Sequence, residues 1–359
     1  MAEPQPIELL GRTRGELADA LAAAGAPPAL AARLFAAAYV RGATDPAAAG
    51  LSRPLAAQAA ALVSIGRPGI AAEHVAADGT RKWLFRLADG AEVETVHIPT
   101  GERATLCVSS QVGCQVGCGF CRTATMGRVR DLTAGEILGQ VLAARDRTGG
   151  WAGPRRPLNV VFMGMGEPLL NLDAVVRAID VACDPAGLAL SRRRITVSTS
   201  GIVPRIAELG ERAGVMLAIS LHAVTDELRD RLVPVNRRWP IAELLAACRT
   251  YPGLSNARRI VFEYVLLADV NDAPADARAL VALLRGIPAK VNLIPFNPWP
   301  GSGFETSPPG AVERFAGILV EAGLTAPVRR PRGQDVLAAC GQLRSDTQRR
   351  GRRAVAQAR

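Results

Sequence analysis

Apolar positions along this chain follow two alternating rhythms. From residue 104 onward, short runs have the length and β-branched content of buried strands: ATLCVS (104–109), LNVVFM (158–163), RITVST (194–199), VMLAIS (215–220), RIVFEYVL (259–266) and KVNLIP (290–295). Between them, apolar residues recur at helical spacing near 133–147, 171–183, 203–211, 226–249, 273–286 and 309–322. Thr133 and Glu136 stand at the spacing of a capping box, which marks the start of the first of these helices. Six strand–helix units predict an α/β fold with a parallel sheet covered by helices, and a partial (β/α)6 barrel is its natural closure. Function in such a fold belongs on the loops that follow the strands. Segments 110–127, 164–168, 200–202, 221–223 and 296–302 fall there, rich in Gly, Glu, His and Asn that no packing argument explains.

The chain upstream reads differently. Residues 14–65 are rich in Ala and Leu and are interrupted at Pro27–Pro28 and Pro46, which predicts a few short helices. We take residues 1–75 as a small helical accessory domain. TRKWLFRL and AEVETVHI alternate as strands around a turn at Asp89–Gly90. Residues 76–103 are therefore expected to form a hairpin connector. The barrel is expected over 104–345, and 346–359 forms a basic tail.

Composition narrows the functional classes. Hydrophobic residues make up 49% of the 359, enough for a sizeable core. No apolar run reaches the roughly 18 residues a membrane helix needs, so no membrane partner is expected. The opening residues lack a basic segment followed by an apolar one, so no signal peptide is expected and the expected location is the cytoplasm. The formal net charge is +10, unevenly spread. Residues 1–100 hold 9 Lys and Arg against 10 Asp and Glu, whereas the last 36 residues hold nine Arg against Asp335 and Asp346. A basic region of this kind suits a polyanion such as nucleic acid, or is simply a solvated tail. Only Lys82 and Lys290 are lysines among the 43 basic residues. Aromatics at 4% leave too few rings for a stacking platform of the RRM kind.

The chemistry lies in the cysteines. Cys114, Cys118 and Cys121 form a C-x-x-x-C-x-x-C set in a loop loosened by Gly113, Gly117 and Gly119. Three thiolates converging from one loop suit an iron–sulfur cluster with one open iron. The competing reading is a structural zinc site, which usually wants four closed ligands, with Cys107 as the potential fourth. Cys183 and Cys248 end apolar helical patterns and read as small core residues. His74 and His97 have no functional context. His222 lies just past a strand end, as does the glycine-flanked Glu167.

Five ordered motifs now bring in a family. The cysteine spacing after the first barrel strand resembles the radical S-adenosylmethionine (SAM) superfamily. CVSSQVGC (107–114), MGMGEPLLN (163–171), SLHA (220–223), NLIPFNP (292–298) and AACGQL (338–343) resemble the RlmN-type adenine carbon-2 methyltransferases over roughly residues 90–345. The Cfr-type enzymes, which act on carbon 8, share much of this pattern. RGQDVLAAC (332–340) departs from the RGDDIDAAC common in the family, at Gln334 and Leu337 among others.

The resemblance implies a radical SAM partial barrel that holds one 4Fe-4S cluster on Cys114, Cys118 and Cys121. It implies that Gly166, Glu167, Ser198, Ser220, Leu221, His222 and Asn297 contact SAM. It further implies two SAM per turnover. One methylates Cys340, and the other yields a radical that activates the methylthio group for addition to adenine. Glu94 would then remove the ring proton from the protein–RNA adduct, and Cys107 would attack the Cys340 sulfur to release product as a transient disulfide. The implied partners are 23S ribosomal RNA, extending to transfer RNA, with residues 1–75 as a candidate RNA contact, and an electron donor such as flavodoxin or ferredoxin. A different class, a zinc-stabilised RNA-binding protein without catalysis, is the remaining rival.

Overall fold

The computed structural model describes residues 6–151, 157–345 and Thr347. Apart from Thr347, the basic tail lies outside the described residues. Near the N-terminus, β1 (Ile7–Glu8) pairs in parallel with β2 (Val63–Ser64), and helices α1 (Arg14–Ala23), α2 (Leu30–Val40) and α3 (Arg53–Leu62) lie between them. The fully buried Leu17, Leu21, Leu34, Phe35 and Tyr39 belong to the same apolar core as the barrel helices. The Tyr39 hydroxyl accepts from the Gly11 N–H, which fixes α2 against the entry to α1.

Three antiparallel strands follow: β3 (Gly69–Val75), β4 (Arg81–Arg86) and β5 (Glu92–Thr100). Strand β3 falls within residues read from sequence as helical. GIAAEHV is weakly patterned, and half of it is exposed at the sheet edge, so pairing with β4 decides its conformation rather than its own propensity. The expected turn at Asp89–Gly90 is present, with Gly90 at φ +83°.

The six expected barrel strands are all found: β6 (Arg103–Cys107), then, beyond the hairpin β7 (Gln111–Cys114) and β8 (Gly127–Asp131), β9 (Leu158–Phe162), β10 (Ile195–Thr199), β11 (Met216–Ser220), β12 (Ile260–Leu266) and β13 (Ala289–Pro295). They pair in parallel, in chain order. With β3–β5 they make one nine-stranded sheet, ordered β13-β12-β11-β10-β9-β6-β5-β4-β3. The two edges do not pair, so the barrel stays open.

Helices α4 (Ala134–Arg147), α5 (Leu172–Cys183) and α6 (Ile206–Ala213) fall where expected, and the capping box of Thr133 and Glu136 opens α4. The single helix expected over 226–249 is instead two, α7 (Asp226–Leu232) and α8 (Ile241–Arg249). Pro234 and Pro240 lie between them; proline lacks the N–H and clashes with the preceding turn, so the helix cannot run through. Helices α9 (Pro274–Leu283) and α10 (Pro309–Glu321) complete the cover. Among the described residues, no helix is long and apolar enough to cross a membrane.

Candidate active site

Strand β7 delivers Cys114, and its glycine determines how. Gly113 has φ +75°, and a Cβ there would lie 1.9 Å from the Gly127 carbonyl oxygen, so no other residue lets β7 approach β8 this closely. The loop then turns through Cys118 to Cys121 and is tied to α7 by a bond from the Gly119 N–H to the Leu232 carbonyl (3.0 Å). All three thiols are half-buried and free, and they line one cavity of about 150 Å³ at the C-terminal ends of the parallel strands. Burial pushes the Cys114 thiol up to about 12 and Cys118 well above the usual thiol range. Such thiols ionise only where a strong positive centre meets them. Among the described residues, no three His, Cys, Asp or Glu side chains converge closely enough for one metal ion. The thiols stand around a space instead, which fits a multi-atom cluster better than a closed tetrahedral zinc site.

The loop after β9 forms the next wall. Gly164 packs where a Cβ would meet the Val108 carbonyl at 2.7 Å, and Gly166 at φ +103° packs 2.6 Å from the Gln111 side chain by the same measure. Glu167 is buried with both oxygens engaged. Oε2 accepts from the Ser200 N–H (2.8 Å) and hydroxyl (2.6 Å), and Oε1 accepts from the Leu169 N–H (3.1 Å). Burial raises its pKa, while these donors oppose that by favouring the carboxylate.

Gly166, Glu167, Ser198, Ser220, His222 and Asn297 all reach the cavity wall with the three cysteines. Leu221 does not: its side chain is fully buried, and its N–H donates to the Glu263 carbonyl. His222 adopts φ +60°, an uncommon left-handed backbone for a non-glycine residue. Its Nδ1 accepts from the Val265 N–H (3.1 Å), and the Phe120 ring stands edge-on at 4.7 Å. Burial, and then the charge of Arg229, push its pKa down to about 3. The imidazole is therefore neutral, with its proton on Nε2. Gln334, one of the departures from the family pattern, donates to Asn297 Oδ1 at 3.2 Å.

Cys340 lies at the open side of the same cavity, exposed yet crowded enough that desolvation, and then the nearby Glu263 carboxylate, raise its thiol pKa. Cys107, at the end of β6, is buried and off the cavity wall, but close enough to Cys340 for their charges to interact. Both thiols are free. Glu94 also lies off the wall, buried on β5. Lys82 Nζ is 2.9 Å from its Oε1, and the Arg344 N–H donates to its Oε2 at 2.6 Å. Cys248 is core and Cys183 is half-buried against it, as expected.

Three residues escaped the sequence reading: Lys82, Arg229 and Glu263. Lys82 had a signal, as one of two lysines among so many arginines. Glu263 had one too, as a lone carboxylate inside the apolar run RIVFEYVL. Arg229 looked like any surface residue of an exposed helix.

Comparison with known proteins identifies the family. Residues 108–281 match the family model of the Radical SAM superfamily. A "Dual-specificity RNA methyltransferase RlmN" of Rhodospirillum rubrum is 56% identical over 351 residues, covering 96% of this chain and 82% of that protein. Its namesake from Phenylobacterium zucineum is 55% identical over 356 residues, covering 96% and 92%. The crystal structure of a radical SAM methyltransferase from Sphaerobacter thermophilus superposes with a TM-score of 0.88 at 47% identity, covering 94% of this chain and 99% of that one. Identity of this order across nearly the whole chain goes beyond a shared superfamily fold: the chain belongs to the RlmN family of radical SAM methyltransferases.

Proposed function

We propose that this protein methylates carbon 2 of an adenine in 23S ribosomal RNA, and also in transfer RNA, through an S-methylated Cys340 and a transient protein–RNA adduct. The observation that carries the proposal is Cys340 itself. A cysteine remote in sequence lines the cavity formed by Cys114, Cys118, Cys121 and the Gly166–Glu167 loop. An electron-poor ring carbon cannot attack SAM as an ordinary nucleophile does, so a carrier sulfur and radical chemistry are needed. The cluster and SAM, when bound, supply the hydrogen-abstracting radical.

The chain's own residues then divide the work. Cys340 loses its proton, and its sulfur takes the methyl group of one SAM as the SAM C–S bond breaks, leaving S-adenosylhomocysteine. A second SAM serves the radical step, giving two per turnover. Glu167, Ser198, Ser220, His222 and Asn297 orient SAM over the cysteine loop. Leu221 contributes through its main chain. Glu94 accepts the ring proton, directly or through one water. The adduct's unpaired electron returns to the cluster, when bound, as that proton leaves. Cys107 then attacks the Cys340 sulfur: the S–S bond forms as the bond from that sulfur to the product carbon breaks, the carbon keeps the electron pair and gains a proton to become the methyl group, and the disulfide left behind is reduced by an external thiol. A flavodoxin or ferredoxin class protein would supply the electron for SAM cleavage, and a cytoplasmic location suits these partners.

Mass spectrometry of nucleosides from a deletion strain and its complement tests the proposal. The expected result is loss and return of 2-methyladenosine in ribosomal and transfer RNA. Return of 8-methyladenosine would assign the chain to carbon 8 instead. No change in either nucleoside would overturn RNA adenine methylation altogether.

A further inference from the structure

Arg229 has 0% of its surface exposed, in the middle of α7. Its guanidinium spends its donors on neutral acceptors: Nε on the Leu221 carbonyl (3.0 Å), Nη1 on Asn236 Oδ1 (2.9 Å), and Nη2 on the Ser200 (2.6 Å) and Ser220 (3.1 Å) carbonyls. No carboxylate among the described residues forms an ion pair with it. Asp226 and Asp230 are reached only through Asn236, whose amide donates to both (2.9 and 2.7 Å). Burying a full charge without a counter-charge is costly, and proteins rarely leave one so placed. Asp226 and Asp230 balance it only at one remove, which leaves room for a nearer negative charge.

The geometry indicates where that balance comes from. Helix α7 abuts the cysteine loop: besides the Gly119–Leu232 bond, a Cβ on Gly119 would lie 3.5 Å from the Arg231 carbonyl oxygen. Cys118 lines the same cavity as Ser200 and Ser220, whose carbonyls Arg229 holds. The three carbonyls it grips belong to Ser200, which clamps Glu167, and to Ser220 and Leu221 beside the cavity.

We propose that Arg229 is a positioning residue with two tasks: its charge is the buried counter-ion of the cluster and its Cys118 thiolate, and its fork of donors sets the two SAM-lining loops in register. The proposal rests on the radical SAM reading of this site. One-electron reduction adds negative charge to the cluster, so a fixed cation beside it favours the reduced state and raises the potential. A purely structural arginine would hold the loops without moving the potential.

The test uses full-length protein reconstituted anaerobically, as wild type, Arg229→Gln and Arg229→Lys. Iron content, cluster midpoint potential from an EPR-monitored redox titration, and SAM affinity are measured. Arg229→Gln should keep its iron while the potential falls by about 60 mV, the one-electron equivalent of a tenfold loss in reduced-state stability. Arg229→Lys keeps the charge and loses the fork, so its potential should match wild type while SAM affinity falls about tenfold. An unchanged potential in Arg229→Gln overturns the counter-ion role. Should Arg229→Gln fail to fold, Arg229→Lys decides: a potential that falls despite the retained charge, or a SAM affinity equal to wild type, overturns the proposal, and a held potential together with weakened SAM binding supports it. Wild-type protein that takes up no iron would overturn the cluster reading itself, and with it this inference.

Discussion

Lys82 Nζ lies 2.9 Å from Glu94 Oε1, with both side chains buried. The same ammonium donates to the Leu337 carbonyl (3.2 Å), and the other Glu94 oxygen accepts from the Arg344 N–H. The segment carrying Cys340 is thus fastened on both sides of the thiol to one ammonium–carboxylate pair. Glu94 is covered by that fastening, so the proposed role as base requires that residues 337–345 shift or that a water relay the proton.

Lys82→Met should therefore act on stability and chemistry together. Breaking a buried pair by removing one partner costs about 3–5 kcal/mol. Burial already raises the Glu94 pKa, and Lys82 opposes that rise. Without Lys82 the pKa climbs further, so the variant's stability deficit is smallest in acid. The deficit grows as pH rises from the wild type's raised Glu94 value to the variant's still higher one. Thermal melts across pH 4.5–8 check this; a deficit independent of pH would show that Glu94 does not ionise in the pair. The pH limb for release of methylated RNA should also move upward.

His222 gives a second pH-dependent test. Its folded pKa, near 3, lies below the ordinary 6.5, so the stability it contributes is present above pH 6.5. That stability should be lost as pH falls towards 3, by about 1.4 kcal/mol per pH unit from this group alone. His222→Asn tolerates the left-handed backbone and cannot titrate. Denaturant melts at pH 7 and pH 4.5 should show a smaller acid loss in the variant than in wild type; equal losses would refute a buried neutral imidazole.

Gly166→Ala tests the proposal that this loop binds SAM. The new methyl group would meet Gln111 at 2.6 Å in a φ +103° conformation, and Gln111 Oε1 is the acceptor for the Glu167 N–H. We expect a loss of SAM affinity of about tenfold or more, since the strained backbone must move with Glu167 attached. Equilibrium binding of SAM to reconstituted protein measures it, and iron content should be unaffected.

Cys107→Ala should leave cluster binding and Cys340 methylation intact and stop product release. A covalent protein–RNA conjugate should then accumulate on a denaturing gel, and it should vanish in the Cys107→Ala, Cys340→Ala double variant. Normal turnover without conjugate would leave Cys107 as a packed residue at the end of β6.

The sequence by itself determined the order of strands and helices in the barrel, because each buried strand writes its own local run of apolar residues. It also carried the grouping of Cys114, Cys118 and Cys121 and the Gly166–Glu167 loop, because each of those sets comes from one short segment. Tertiary structure decided the rest. GIAAEHV became a strand only by pairing with β4 at the sheet edge, and Pro234 and Pro240 divided what helical periodicity alone had joined. The meeting of Cys340 with the cluster loop depends on how the open sheet carries its two ends around one cavity, which no local pattern encodes. Leu221 turned inward while its neighbours Ser220 and His222 faced the cavity. Arg229, on a helix whose pattern reads as exposed, was drawn under the cysteine loop by carbonyls from three separate positions. Long-range convergence of this kind is set by backbone closure and the need to satisfy buried donors, and neither leaves a periodic trace along the chain.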